Sequence, residues 1–85
     1  MPREIDRWSE EPYYAQLAAY IRADIIAGEI APGEPLASEA RYMQEFGLAR
    51  NTVRQALALL RDEGYISTHK RRGSRANPPE DWPED

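Results

Sequence analysis

Gly28, Gly47 and Gly64 each close a stretch whose apolar residues recur at helical spacing, and this punctuation constrains the fold of the chain more than its composition does. Before Gly28, Leu17, Ala18, Ile21 and Ile25 recur at steps of three and four, with Gln16, Arg22 and Asp24 on other faces. The pattern is that of an amphipathic helix, with Pro12 suited to its first turn and Gly28 to its C-terminal cap. Ser38 can cap a second helix, in which Glu39 lies near the positive end of the dipole and Tyr42 and Phe46 share a face up to Gly47. A third pattern starts near Arg50, carries Val53, Ala56, Leu57 and Leu60 on one side, and ends at Gly64. Leu48, between the last two helices, is the kind of residue that tucks a tight turn into a core.

Between the first and second helices the stretch GEIAPGEPLAS is too rich in Gly and Pro to continue a helix; it predicts a turn with a short strand at Leu36. After Gly64, Tyr65-Ile66-Ser67-Thr68 has strand composition, and His69-Lys70-Arg71-Arg72-Gly73 is a basic turn. Ser74 to Ala76 then returns as the second strand of a hairpin. The fold class is mainly α with a small β-hairpin. Met1 to Glu11 has no period, and Asn77 to Asp85 reads NPPEDWPED. Both predict flexible tails around a folded unit at residues 12–76, with Trp82 either an exposed linker residue or part of a docking segment.

At 85 residues without Cys and with one His, the chain has room for one small core and no disulfide, thiolate metal site or catalytic triad. No acid–base pair is evident, so neither an enzyme, a metal site nor a cofactor is expected. No apolar run approaches the roughly 18 residues of a membrane span, and the N-terminus is too acidic for a signal peptide. A soluble, cytoplasmic protein with no membrane partner is predicted.

The formal net charge of −4 conceals a strong polarity. Residues 1–40 sum to −5, residues 41–75 to +5 and residues 76–85 to −4. A basic segment between acidic ones is the expected footprint of an anion-binding face. Two helices joined by a short Gly-containing turn form a helix-turn-helix, whose second helix enters the major groove by its N-terminal residues. Here those residues are Arg50, Asn51, Thr52, Arg54 and Gln55. Arg suits guanine and Asn or Gln suits adenine, while the helix N-terminus favours a phosphate. The basic turn lies where a hairpin wing would flank the third helix, and an Arg-rich tip can enter a minor groove.

The stretches YAQLAAYIRADIIAGEIAPGEPLASEA, FGLARNTVRQALALLRDEGYI and RRGS, in this order and spacing, resemble the winged helix-turn-helix domain of GntR-type bacterial transcription regulators. The resemblance covers about Tyr14 to Ala76 and is densest in RNTVRQALALLRDEG. It implies three helices plus a wing, and a repressor or activator that binds a short palindrome in double-stranded DNA as a homodimer. It also implies contacts from Arg50, Asn51, Thr52 and Arg54 on the recognition helix and from Gly73 in the wing; Ser38, Arg41, Gln55, His69, Lys70, Arg71 and Arg72 complete the expected contact set. The sequence departs from the family's usual pattern at Ala37, Ala40, Met43 and Arg71, where Pro, Arg, a small residue and Gly are usual. The family's second, effector-binding and dimerising domain is not expected in a chain of this length. Two other uses of such a fold stay open at this point: a protein-interaction module, and an architectural or recombination accessory protein.

Overall fold

The structure, a computed structural model, describes residues 3–84. Its elements are α1 (Tyr13–Ala27), α2 (Glu39–Phe46), α3 (Arg50–Glu63), β1 (Ile66–His69) and β2 (Gly73–Ala76), followed by a 3-10 turn at Pro79–Asp81. Helices α2 and α3 form the helix-turn-helix, and β1 and β2 pair antiparallel as its wing. Each helix ends at the glycine that punctuates the sequence, in left-handed backbone, with its N–H returned to the last turn. Pro12 stands at the N-cap of α1, one position outside the helix.

Leu17, Ile21, Val53, Leu60 and Ile66 are fully buried, and α1 packs chiefly against α3. Tyr42, Phe46 and Leu48 close the α2 side of the same core, as their spacing predicts. Removing each such side chain from water contributes about 1.5–3 kcal/mol. Met43, where a small residue is usual, is accommodated half-buried at the edge of the core.

The hairpin differs from expectation by one residue at each edge. Tyr65 lies outside β1, because its N–H closes the end of α3 on the Leu60 carbonyl (2.9 Å) and its own carbonyl receives the Asn77 N–H (2.9 Å). His69 belongs to β1, opposite Gly73. The short strand expected at Leu36 is reduced to a single bridge, Pro35 to Arg75, since Pro35 has no N–H for a ladder. The connection still braces β2: Leu36 donates to the Ser74 carbonyl (2.9 Å) and Ala76 to the Glu34 carbonyl (3.0 Å).

The tail expectation is corrected at both ends; Met1, Pro2 and Asp85 lie outside the described residues. Ile5 is buried in the core, and Gln16, assigned from sequence to a polar face of α1, is buried beneath residues 6–11. Its amide donates to the carbonyls of Asp6 (3.0 Å) and Glu11 (2.9 Å) and accepts from the Asp6 N–H (2.7 Å), which satisfies it fully against the chain it covers. At the other end the Trp82 indole donates to the Asn77 carbonyl (3.0 Å) and its ring lies 5.8 Å from that of Tyr65. Trp82 is thus neither free nor an exposed linker residue.

The returning chain crosses Gly64, whose φ of 94° suits no L side chain and where a methyl group would collide with the Asp81 carbonyl. Gly64→Ala is expected to destabilise the fold by roughly 2 kcal/mol, through left-handed strain plus displacement of residues 79–82. A lower urea midpoint together with a changed tryptophan spectrum checks this; an unaltered midpoint refutes it.

Candidate nucleic-acid interface

The N-terminus of α3 is built for anions. Ser38 caps α2 by accepting the Arg41 N–H (3.1 Å), but Ala49, at the same place on α3, has no side-chain acceptor. The first-turn amides of α3 therefore carry no side-chain cap, and the positive end of the dipole is left to solvent. Arg50, Asn51, Arg54 and Gln55 are exposed along the outward face, with Thr52 half-buried beside them. Asn51, Arg54, Gln55 and Arg61 border a shallow recess along the helix.

The wing is fastened to this helix by polar contacts. The Arg61 guanidinium donates to the Thr68 hydroxyl (3.1 Å), which is hydrogen-bonded to the Ser74 hydroxyl (2.9 Å) across the strands. Arg75 donates to the Gly33 carbonyl (2.8 Å) and ties β2 to the α1–α2 connection. A groove of about 530 Å³ results, lined among others by Ser38, Glu39, Arg50, Arg72, Gly73 and Ser74. The fold thus brings the start of α2, the start of α3 and the wing to one concave surface. His69, Lys70 and Arg71 stand at the exposed wing tip beyond it.

One charged residue of this surface was not among those the sequence singled out for contact. Glu39 receives the Arg50 guanidinium at 2.9 Å and the Arg54 guanidinium at 3.2 Å. Burial alone would raise its carboxyl, but the hydrogen bonds and charges of the two arginines outweigh this and hold it below the ordinary value of 4.5. The sequence signal was present as an acid at the start of α2, read there only as a partner of the helix dipole. Arg50 and Arg54 are four residues apart and share a face, so one carboxylate can serve both. Among the described residues Arg41, Lys70, Arg71 and Arg72 form no ion pair, so the start of α2 and the wing carry unpaired positive charge.

The wing tip carries backbone strain. Arg71 has φ 73°, the only positive φ outside glycine among the described residues, in the turn closed by the Arg72 N–H on the His69 carbonyl (3.0 Å). The chain keeps the left-handed path usually given to glycine and places a guanidinium on it, at a cost of roughly 1 kcal/mol.

Two outcomes are expected from this geometry. Arg71→Gly raises stability by about 0.5–1 kcal/mol in chemical denaturation, because it relieves more strain than the added unfolded-state entropy costs. An equal or lower stability would contradict the strain assignment. For Glu39 the folded carboxyl is depressed, so its stabilisation is present above the ordinary value of 4.5 and lost as pH falls through the lower folded value. Glu39→Gln is therefore expected to flatten the acid limb of the stability–pH curve below 4.5, and an unchanged limb would exclude the pairing.

Comparison with known proteins agrees with this architecture. Residues 13–75 match the family described as bacterial regulatory proteins, gntR family. The HTH-type transcriptional repressor NagR of Bacillus subtilis (strain 168) is 40% identical over 75 residues, covering 88% of this chain and 31% of that protein. The mannosyl-D-glycerate transport/metabolism system repressor MngR of Escherichia coli (strain K12) is 41% identical over 58 residues, 68% of this chain and 24% of that one. The chain therefore spans less than a third of the length of these curated relatives. Among solved structures, YtrA from Sulfolobus acidocaldarius, a GntR-family transcription factor, superposes with a TM-score of 0.82 at 32% identity, over 92% of this chain and 82% of that one. AraR(DBD) in complex with operator ORE1 superposes with a TM-score of 0.82 at 28% identity, over 89% of this chain and 99% of that one. With a matching family signature across most of its length and the same winged helix-turn-helix, this chain belongs to the gntR family of bacterial regulatory proteins.

Proposed function

We propose that the chain is a sequence-specific, double-stranded DNA-binding transcription regulator whose α3 reads the major groove. The observation that carries this reading is the convergence of Arg50, Ser38, Arg72 and Gly73 on one groove, in a fold shared with a domain solved on its operator. Arg50 and Arg54 are the base readers, supported by their place on the outward face of α3. Asn51 and Gln55 supply amide contacts beside them, and Thr52 with the uncapped α3 amides sets register on a phosphate. Arg41, one position beyond Ala40, takes the phosphate contact that an arginine at Ala40 would make. Lys70, Arg71 and Arg72, with His69 beside them, follow the adjoining minor groove, and Gly73 lets the wing backbone approach closely.

The DNA-binding unit is residues 12–76, with residues 1–11 and 77–85 as its flanks, and its setting is the cytoplasm. One α3 reads only a few base pairs, so useful affinity calls for two protomers on an inverted repeat.

Selection of bound duplexes from a random library, followed by sequencing, tests the reading; an inverted repeat is the expected product. On that duplex Arg50→Ala or Arg54→Ala should cost about 1–3 kcal/mol and relax base preference, whereas Lys70→Ala weakens specific and random DNA alike. Equal losses on both kinds of DNA for Arg50→Ala, or no enrichment at all, would overturn base reading by α3.

A further inference from the structure

Residues 6–11 form a hydrogen-bonded loop, although their composition predicts a tail. Gln16 pins both ends of it from beneath, the Trp8 N–H is received by the Asp6 carboxylate (3.0 Å), and the Glu11 N–H by the Ser9 hydroxyl (3.0 Å). Two side chains gain fixed positions from this. Arg7 lies over the Tyr13 ring, 4.8 Å from its centroid, and one of its nitrogens, Nη2, donates to the carbonyls of Phe46 (3.3 Å) and Gly47 (3.0 Å). Trp8 is 97% exposed. Asp6 and Glu11 border a separate recess with Gln16, Ala19 and Tyr20, whereas Glu4 and Glu45 line the recess that holds Arg7 without forming an ion pair with it.

Among the described residues Arg7 has no carboxylate partner, and its Nε and Nη1 make no hydrogen bond. Its anchor, Gly47, stands three residues before Arg50, a separation the chain spans in at most about 11 Å. A major groove is about 12 Å wide and bounded on both sides by phosphates. A guanidinium anchored at the turn that precedes α3 is within reach of the sugar–phosphate strand flanking a groove that α3 occupies. An indole standing open beside it, on a hydrogen-bonded loop, offers an apolar face with a polar edge, the chemistry that packs on deoxyribose.

We propose that this loop is a further contact with duplex DNA, in which Arg7 binds a phosphate flanking the base pairs under α3 and Trp8 lies against the neighbouring sugar. The proposal rests on the DNA-binding reading above and extends the interface to the turn that precedes α3. Arg7 also caps the last carbonyls of α2, so stability alone does not distinguish its roles; the salt dependence of binding does, because each neutralised phosphate releases counterions.

The test uses the full chain and the duplex recovered by selection. Arg7→Gln should weaken binding several-fold on specific and random DNA alike and make the slope of log affinity against log salt shallower by about 1, while Arg7→Lys keeps the slope. In a Trp82→Phe background, Trp8 is the sole tryptophan, and its quenching by acrylamide should fall when duplex is added. An unchanged slope in Arg7→Gln overturns the phosphate contact, and an indole as open to quencher on the duplex as off it overturns the sugar contact. Failure of the unsubstituted chain to bind any duplex would instead overturn the DNA-binding reading itself and this contact with it.

Discussion

Leu17 and Ile21 of α1 meet Val53 and Leu60 of α3 in one fully buried cluster, and from that seam every element of the interface takes its position. A chain this short buries only about 60% of its unfolded surface, so no second core exists to hold the recognition helix independently. With its inward face fixed on α1, α3 has one outward face, and that face carries Arg50, Asn51, Arg54 and Gln55. Ile66 continues the same cluster into β1, so the wing is hung from the core at its base while its tip is free of apolar constraint. Helix α2 contributes less to the seam and more to polar geometry: its N-terminus supplies Ser38 and Glu39, and its C-terminus the carbonyls that accept from Arg7.

Much of this was legible in the sequence because it is local. Helix limits follow from glycine caps, the buried faces from a period of three and four, and the hairpin from strand residues around a basic turn. Of the expected contact residues, Ser38, Arg50, Arg72 and Gly73 line one groove, and the roles of the set on DNA stay a proposal. What the sequence concealed depends on contacts between distant residues. Gln16 looks like a solvated helix position until the segment that covers it is in place, ten residues earlier at Asp6. Trp82 reads as an exposed aromatic among acids and prolines, yet it has a partner seventeen residues away in Tyr65. Arg7 and Gly47 are forty residues apart, and no periodicity links them. Glu39 is the instructive case: its type and helix position were plain, but its pairing with Arg50 and Arg54 needs the angle between α2 and α3.

That pairing bears on how such an interface would discriminate. An exposed ion pair contributes little to stability, and Glu39 keeps about a third of its side chain in solvent (31%). Its larger effect concerns competition. Two arginines already satisfied by a carboxylate gain less from any chance acceptor, and only a site that offers better geometry than Glu39 draws them out. Specificity is a difference between affinities, so a cost that every complex shares cancels, and an internal partner discriminates only where a mismatched sequence leaves the arginines on Glu39 and forfeits their base contacts. On this view the chain divides its charge by task. In the proposed reading, the unpaired cations of the wing hold DNA of any sequence, while Arg50 and Arg54 keep their carboxylate partner until base edges replace it.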